Sequence, residues 1–117
     1  MATREIEATV RERDGIAVID LRGEINGLAE TAMEAAYADA ATGEPASILL
    51  NFEQTDYINS TGIALIVGIL ARARADGRQV TACGLSDHYR EIFEITRLAD
   101  FMTIYPDEPS AAGGEAK

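Results

Sequence analysis

Two adjacent hydroxyls, Ser60 and Thr61, stand between Asn59 and Gly62 where a polar stretch gives way to an apolar one. A serine hydroxyl can accept a phosphoryl group, and asparagine, serine and threonine all cap helices by accepting an N–H of the first turn. That turn presents unpaired N–H groups at the positive end of the helix dipole, so an anion is tolerated there. A phosphate on Ser60 would add about −1.5 to −2 charge and three acceptor oxygens without requiring the fold to open. A partner packed over the loop would have to accommodate the bulk and desolvate the charge. The chemistry is that of a switchable contact. On local sequence alone, a plain capping role is the simpler account of the same residues.

Other constellations are weaker. Asp56 with Glu53, or Glu24 with Asp20, would make an acid–base pair, but in so acidic a chain solvated surface charge is the default. His88 and Cys83 are each the sole residue of their type, so neither has the clustered ligands of a zinc site or a catalytic partner. The glycines match neither the phosphate-loop spacing nor the dinucleotide fingerprint. Asn59-Ser60-Thr61 fits the N-glycosylation pattern, but no secretory leader precedes it. The expectation is no catalytic residue, no metal ligand, no cofactor and no enzyme. Tyr57 and Ile58 before the hydroxyls, and Ile63 after them, offer apolar contact area, with Tyr57 the best placed for an interface.

The elements that must hold this loop follow from periodicity. Glu5 to Val10 and Ile16 to Leu21 are β-favouring runs separated by Glu12-Arg13-Asp14-Gly15, in which Asp-Gly is a hairpin signal. Leu28, Ala32, Met33, Ala35, Ala36 and Ala40 recur at helical spacing after Asn26-Gly27. Ser47 to Phe52 is a continuous apolar run, expected as a buried central strand, and Glu53 to Gly62 is expected as the loop leaving its carboxyl end. Ile63 to Ala75 reads as a helix whose first half is buried on nearly all sides. Arg72, Arg74 and Gly77 suit its end. Gly68 inside it suggests close packing on the sheet. Gln79 to Cys83 is a strand, and Ser86 or Asp87 caps a helix that turns Tyr89, Ile92, Phe93 and Leu98 or Ile95 inward. Met102 to Tyr105 is the last strand. The fold class is α/β, with a mixed sheet of about five strands and one layer of helices supplied by crossovers.

At 117 residues the chain has room for one domain, and 47% apolar with 26% charged residues suits an ordinary globular protein. A formal charge of −10 disfavours nucleic acid and anionic membranes. The longest apolar run, Ile63 to Ala71, is far short of the roughly 20 residues of a membrane span. Without a leader and with a single cysteine, the chain is expected in the cytoplasm. Residues 1–105 are expected to form the domain. Residues 106–117, rich in proline, glycine and small side chains, are expected to be a disordered tail.

The body of the chain, about residues 5 to 105, resembles the STAS domain of anti-sigma-factor antagonists. The resemblance rests on Leu21-Arg22-Gly23-Glu24-Ile25-Asn26, on Leu49-Leu50-Asn51-Phe52 before Asn59-Ser60-Thr61-Gly62, and on Phe93-Glu94-Ile95-Thr96-Arg97-Leu98. It implies that Ser60, with Thr61 as second choice, is the serine phosphorylated by a kinase partner. It also implies a partner, an anti-sigma factor of the histidine-kinase-like fold, and possible reversal by a phosphatase. Asn26, Asp56, Tyr57, Asn59, Ser60, Thr61 and Gly62 are the expected contact residues. Two departures stand out. Asn59 and Asn26 occupy positions where the family usually has Asp, which keeps capping capacity but removes a charge. A STAS scaffold or ligand-sensing subunit without phosphorylation is the alternative.

Overall fold

The first turn of the chain is set by two residues. In the computed structural model, which describes residues 6–112, strands β1 (Glu7–Arg13) and β2 (Ile16–Ile25) pair antiparallel across Asp14-Gly15. Both turn residues have positive φ, 53° and 83°, as a two-residue hairpin that follows the strand twist requires. Glu5, expected to open the first strand, lies outside the described residues.

Strands β3 (Ser47–Ile58), β4 (Gln79–Cys83) and β5 (Thr103–Tyr105) then add in sequence, each parallel to its predecessor, giving the order β1-β2-β3-β4-β5. Helices α1 (Glu30–Ala41), α2 (Ser60–Ala75) and α3 (Asp87–Ile95) make the connections, with short 3-10 turns at Gly27–Ala29 and Leu98–Asp100. The expected mixed α/β sheet of five strands is what forms.

One face of the sheet carries the main core. Ile19, Leu21, Ile48, Leu50 and Phe52 meet Met33 and Tyr37 of α1, Ile66 and Ile69 of α2, and Phe93 of α3. Phe52 and Phe93 pack edge to face, centroids 5.9 Å apart. Tyr37 is wholly buried, and its hydroxyl donates to the Asp76 carboxylate at 2.6 Å, which ties α1 to the end of α2. Leu98 is buried, while Ile95 is 71% exposed, so the inward position after α3 belongs to Leu98.

Three expectations need correction. Leu28 is 79% exposed, because Asn26 caps a 3-10 turn that sets it before α1 and out of its register, and Ala35 lies on the exposed side of α1, away from buried Met33, Ala36, Tyr37 and Ala40. Ala64, Val67, Gly68 and Ala71 leave one side of α2 open to solvent, so this helix is not buried all round. A Cβ at Gly68 would meet nothing within 4 Å, which removes close packing as its explanation.

The tail is also ordered further than expected. A short helix, α4 (Glu108–Ala112), sits on the face of the sheet opposite the other helices, with Ala111 against Val18, Leu49 and Cys83. Apolar periodicity is absent from this stretch because a charge anchors it. The Glu108 carboxylate accepts from Arg11 at 2.6 and 2.8 Å and from Arg13 at 3.0 Å. Residues 113–117 of the expected tail lie outside the described residues. Among the described residues no helix is long and apolar enough to cross a membrane.

Candidate functional site

The polar run expected as a loop continues β3 to Ile58 and pairs with an equally unexpected extension of β2. Gly23 lies opposite Thr55, Glu24 opposite Tyr57 and Ile25 opposite Ile58, with register shifts between Asp20 and Arg22 and between Gly23 and Glu24. Such irregularities bend and twist strands locally. The Thr55 hydroxyl donates to the Leu21 carbonyl at 2.9 Å and helps hold the pair together. Two neighbouring parallel strands therefore end side by side, one at Asn26 and one at Asn59.

Both asparagines do the same work. Asn26 Oδ1 accepts from the Leu28 N–H at 2.9 Å, and Asn59 Oδ1 accepts from the Gly62 N–H at 2.8 Å. Each is the N-cap of the element that follows, Asn59 with extended backbone at φ −96° and ψ −176°. Among Asn59, Ser60 and Thr61, all capping types, Asn59 is the cap. The acceptor an aspartate would supply is kept and its charge is not. Neither first turn carries an acidic residue, so no carboxylate within the first turn of α2 offsets its positive end.

Three contacts pin the start of α2. The Asn59 N–H donates to the Ile25 carbonyl at 3.2 Å, and the Ile58 N–H donates to the Tyr89 hydroxyl of α3 at 3.0 Å. A Cβ on Gly62 would come within 2.1 Å of the Ile25 carbonyl oxygen, so only glycine permits this approach of helix to strand.

On this support Ser60 is the first residue of α2, exposed, and its hydroxyl makes no hydrogen bond among the described residues. Thr61 is exposed beside it, its methyl 3.5 Å from where a Cβ on Gly27 would stand. The fold thus brings Asn26, Asn59, Ser60, Thr61 and Gly62 together. Tyr57, half exposed, and exposed Asp56 are consecutive in β3 and so project to opposite sides of the strand. Leu28, expected in the core, instead adds exposed apolar surface next to this group. The Asn-Gly pair before it is the signal, since a cap there places Leu28 in a first turn. Tyr89 was read only as an inward residue, and nothing local reveals its bond to β3.

Among the described residues no group of three or more histidine, cysteine, aspartate or glutamate side chains is placed to hold a metal ion. His88 is exposed and stacks edge-on with Tyr89, and Cys83 is buried. Burial pushes the Cys83 thiol up to about 12, helped by the carboxylates of Glu53 and Glu108, so it is no nucleophile at neutral pH.

The model of the STAS domain matches residues 7–111. This chain belongs to the STAS family. The match runs through β1 into α4 and so takes in the first half of the segment expected to be a tail. The putative anti-sigma factor antagonist BtrV of Bordetella bronchiseptica is 27% identical over 101 residues, covering 86% of this STAS chain and 84% of the relative. The anti-sigma-B factor antagonist of Staphylococcus aureus is 37% identical over 57 residues, about half of each chain (49% and 53%). Among solved structures, an anti-sigma factor antagonist from Mycobacterium paratuberculosis superposes with TM-score 0.77 at 21% identity, covering 97% of this chain and 96% of that one. The anti-sigma factor antagonist SpoIIAA in its unphosphorylated form gives 0.70 at 20% identity, with 94% and 96% covered. These likenesses show the STAS fold.

Proposed function

We propose that this STAS protein is a cytoplasmic anti-sigma factor antagonist, a binding protein and kinase substrate rather than a catalyst. Its contact surface is the end of β2 and β3 with the start of α2: Asn26, Leu28, Tyr57, Asn59, Ser60, Thr61 and Gly62, with Asp56 at its border. The partner is an anti-sigma factor of the histidine-kinase-like fold, and binding it frees a sigma factor. The observation that carries this reading is Ser60, an exposed hydroxyl without a hydrogen bond among the described residues, on a helix start held by its neighbours.

In phosphoryl transfer the Ser60 oxygen bonds to the terminal phosphorus of a nucleoside triphosphate on the partner, the bond from that phosphorus to the leaving diphosphate breaks, and the serine proton passes to a base. Asn59 cannot be that base. An amide does not take up a proton at neutral pH, and its oxygen already accepts from Gly62. The base is therefore a group other than Asn59. The added charge meets a helix start without acidic side chains, so the fold tolerates it while the contact surface does not. A phosphatase would restore binding.

Site mapping of the protein from its native cells is the test, with binding to candidate anti-sigma kinases measured for wild type, Ser60→Ala and Ser60→Glu. One phosphate on Ser60, and loss of binding in Ser60→Glu alone, are expected. Absence of phosphate in every condition, with Ser60→Glu binding as wild type does, would leave a constitutive binding or scaffold subunit.

A further inference from the structure

The sheet narrows at its far edge. β5 has three residues and joins β4 only from Thr81 onward, so Gln79 and Val80 have no strand beyond them. A groove of about 940 Å³ opens there, between the second half of α2 and the Leu98–Asp100 turn. Leu70, Val80, Leu98 and Met102 give it buried apolar walls, and Val67 and Phe101, 44% and 59% exposed, an apolar edge.

Its charge runs against the rest of the chain. Three of the ten cationic residues, Arg74, Arg78 and Arg97, line it, against one of the twenty acids, Asp100. Arg97 is paired with Asp100 at 2.6 Å and Arg78 lies 3.4 Å from Asp76. Arg74 has no carboxylate partner among the described residues, and its guanidinium stands over the Phe101 ring, 5.7 Å from the centroid. Arg78 adds unmet donor capacity, since its Nε is buried without an acceptor.

A hollow of this size, mostly apolar with a few placed charges, has the make-up of a small-molecule site rather than a flat protein interface. We propose that the groove binds a small amphiphilic carboxylate. Its apolar chain lies along Leu70, Leu98 and Met102, and its head meets Arg74, a charge-assisted contact at an apolar edge. The site lies apart from Ser60 and does not depend on the antagonist reading.

The test is a titration of the ¹⁵N-labelled full chain with decanoate below its micelle concentration at pH 7, read by amide shifts. Saturable shifts confined to Val67–Arg74, Arg78–Thr81 and Thr96–Thr103 are expected. Arg74→Gln should weaken binding about tenfold, the loss of one charge-assisted contact, and Ser60→Ala should not change it. Decyltrimethylammonium, of equal chain length and opposite charge, should bind at least about tenfold more weakly. No saturation with decanoate, equal response to the cationic amphiphile, or shifts centred on Val18, Leu49 and Cys83 would each overturn the proposal. So would binding of an acidic leucine-glutamate peptide where decanoate fails, since the groove would then serve a protein partner.

Discussion

The two faces of the sheet are held down in opposite ways. On one, Leu21, Leu50 and Phe52 bury against three helices in a continuous apolar core. On the other, Val18, Leu49 and Cys83 meet a single short helix, and beside them runs a polar chain. Arg11 bridges Glu108 and Asp20, the Asn51 amide donates to Asp20 at 2.8 Å, and the Cys83 thiol lies 3.5 Å from Asn51 Oδ1. The first face is closed by area removed from water. The second is closed by charge-assisted bonds whose value depends on pH. Neighbouring residues of one strand, Leu49 and Leu50, thus belong to different stabilising systems.

The largest effect that would break this contrast is in that pair. Leu50→Ala should cost about 2 to 5 kcal/mol in denaturant unfolding, because three helices cannot all settle into the space left. Leu49→Ala, under a helix of five residues, should fall at or below the lower end of that range. Equal losses would mean that the second face is as tightly packed as the first.

Next comes the anchor. Arg11 and then Arg13 hold the Glu108 carboxyl down to about 2 from its usual 4.5. A carboxyl lowered on folding stabilises fully above its unfolded value and ceases to do so as pH falls through its folded value. The contribution is therefore present above about pH 4.5 and lost toward about pH 2. Glu108→Gln should cost about 1 to 3 kcal/mol at pH 7 and make acid unfolding shallower across that window. An unchanged acid profile would remove the second face's dependence on charge.

The functional end of the sheet sharpens the comparison with two smaller effects. Asn59→Ala removes the cap of α2 and should cost about 0.5 to 2 kcal/mol. Ser60→Ala removes an exposed hydroxyl without a bond and should stay within about 0.5 kcal/mol by thermal unfolding. A reversed order would make Ser60 the cap and weaken its assignment as an available acceptor.

The same contrast explains what was legible in the sequence. Ser47 to Phe52, the Asp14-Gly15 turn and the α2 end at Arg72 to Gly77 could be read because apolar runs, glycine and terminal cations act locally. The α4 segment could not, since its anchor joins residues 97 positions apart, Arg11 and Glu108. The extensions of β2 and β3 were hidden for a related reason. Glu53 to Tyr57 is polar, and its strand form comes from pairing with Gly23 and Glu24. At the site, Ser60 and its neighbours were legible as a group, whereas the exposure of Leu28 and the bond from Ile58 to Tyr89 depend on how distant elements dock. The structure gives no account of Gly68.

Cys83 turns the weaker face into something that can be timed. The thiol is wholly buried at the sheet end covered by α4, so an alkylating reagent reaches it only in molecules that have momentarily opened. The labelling rate is then a clock for that opening, built into the chain at one position and needing no introduced probe. Read alongside amide exchange in Leu50, it would tell whether the molecule breathes on one side first or comes apart as a whole.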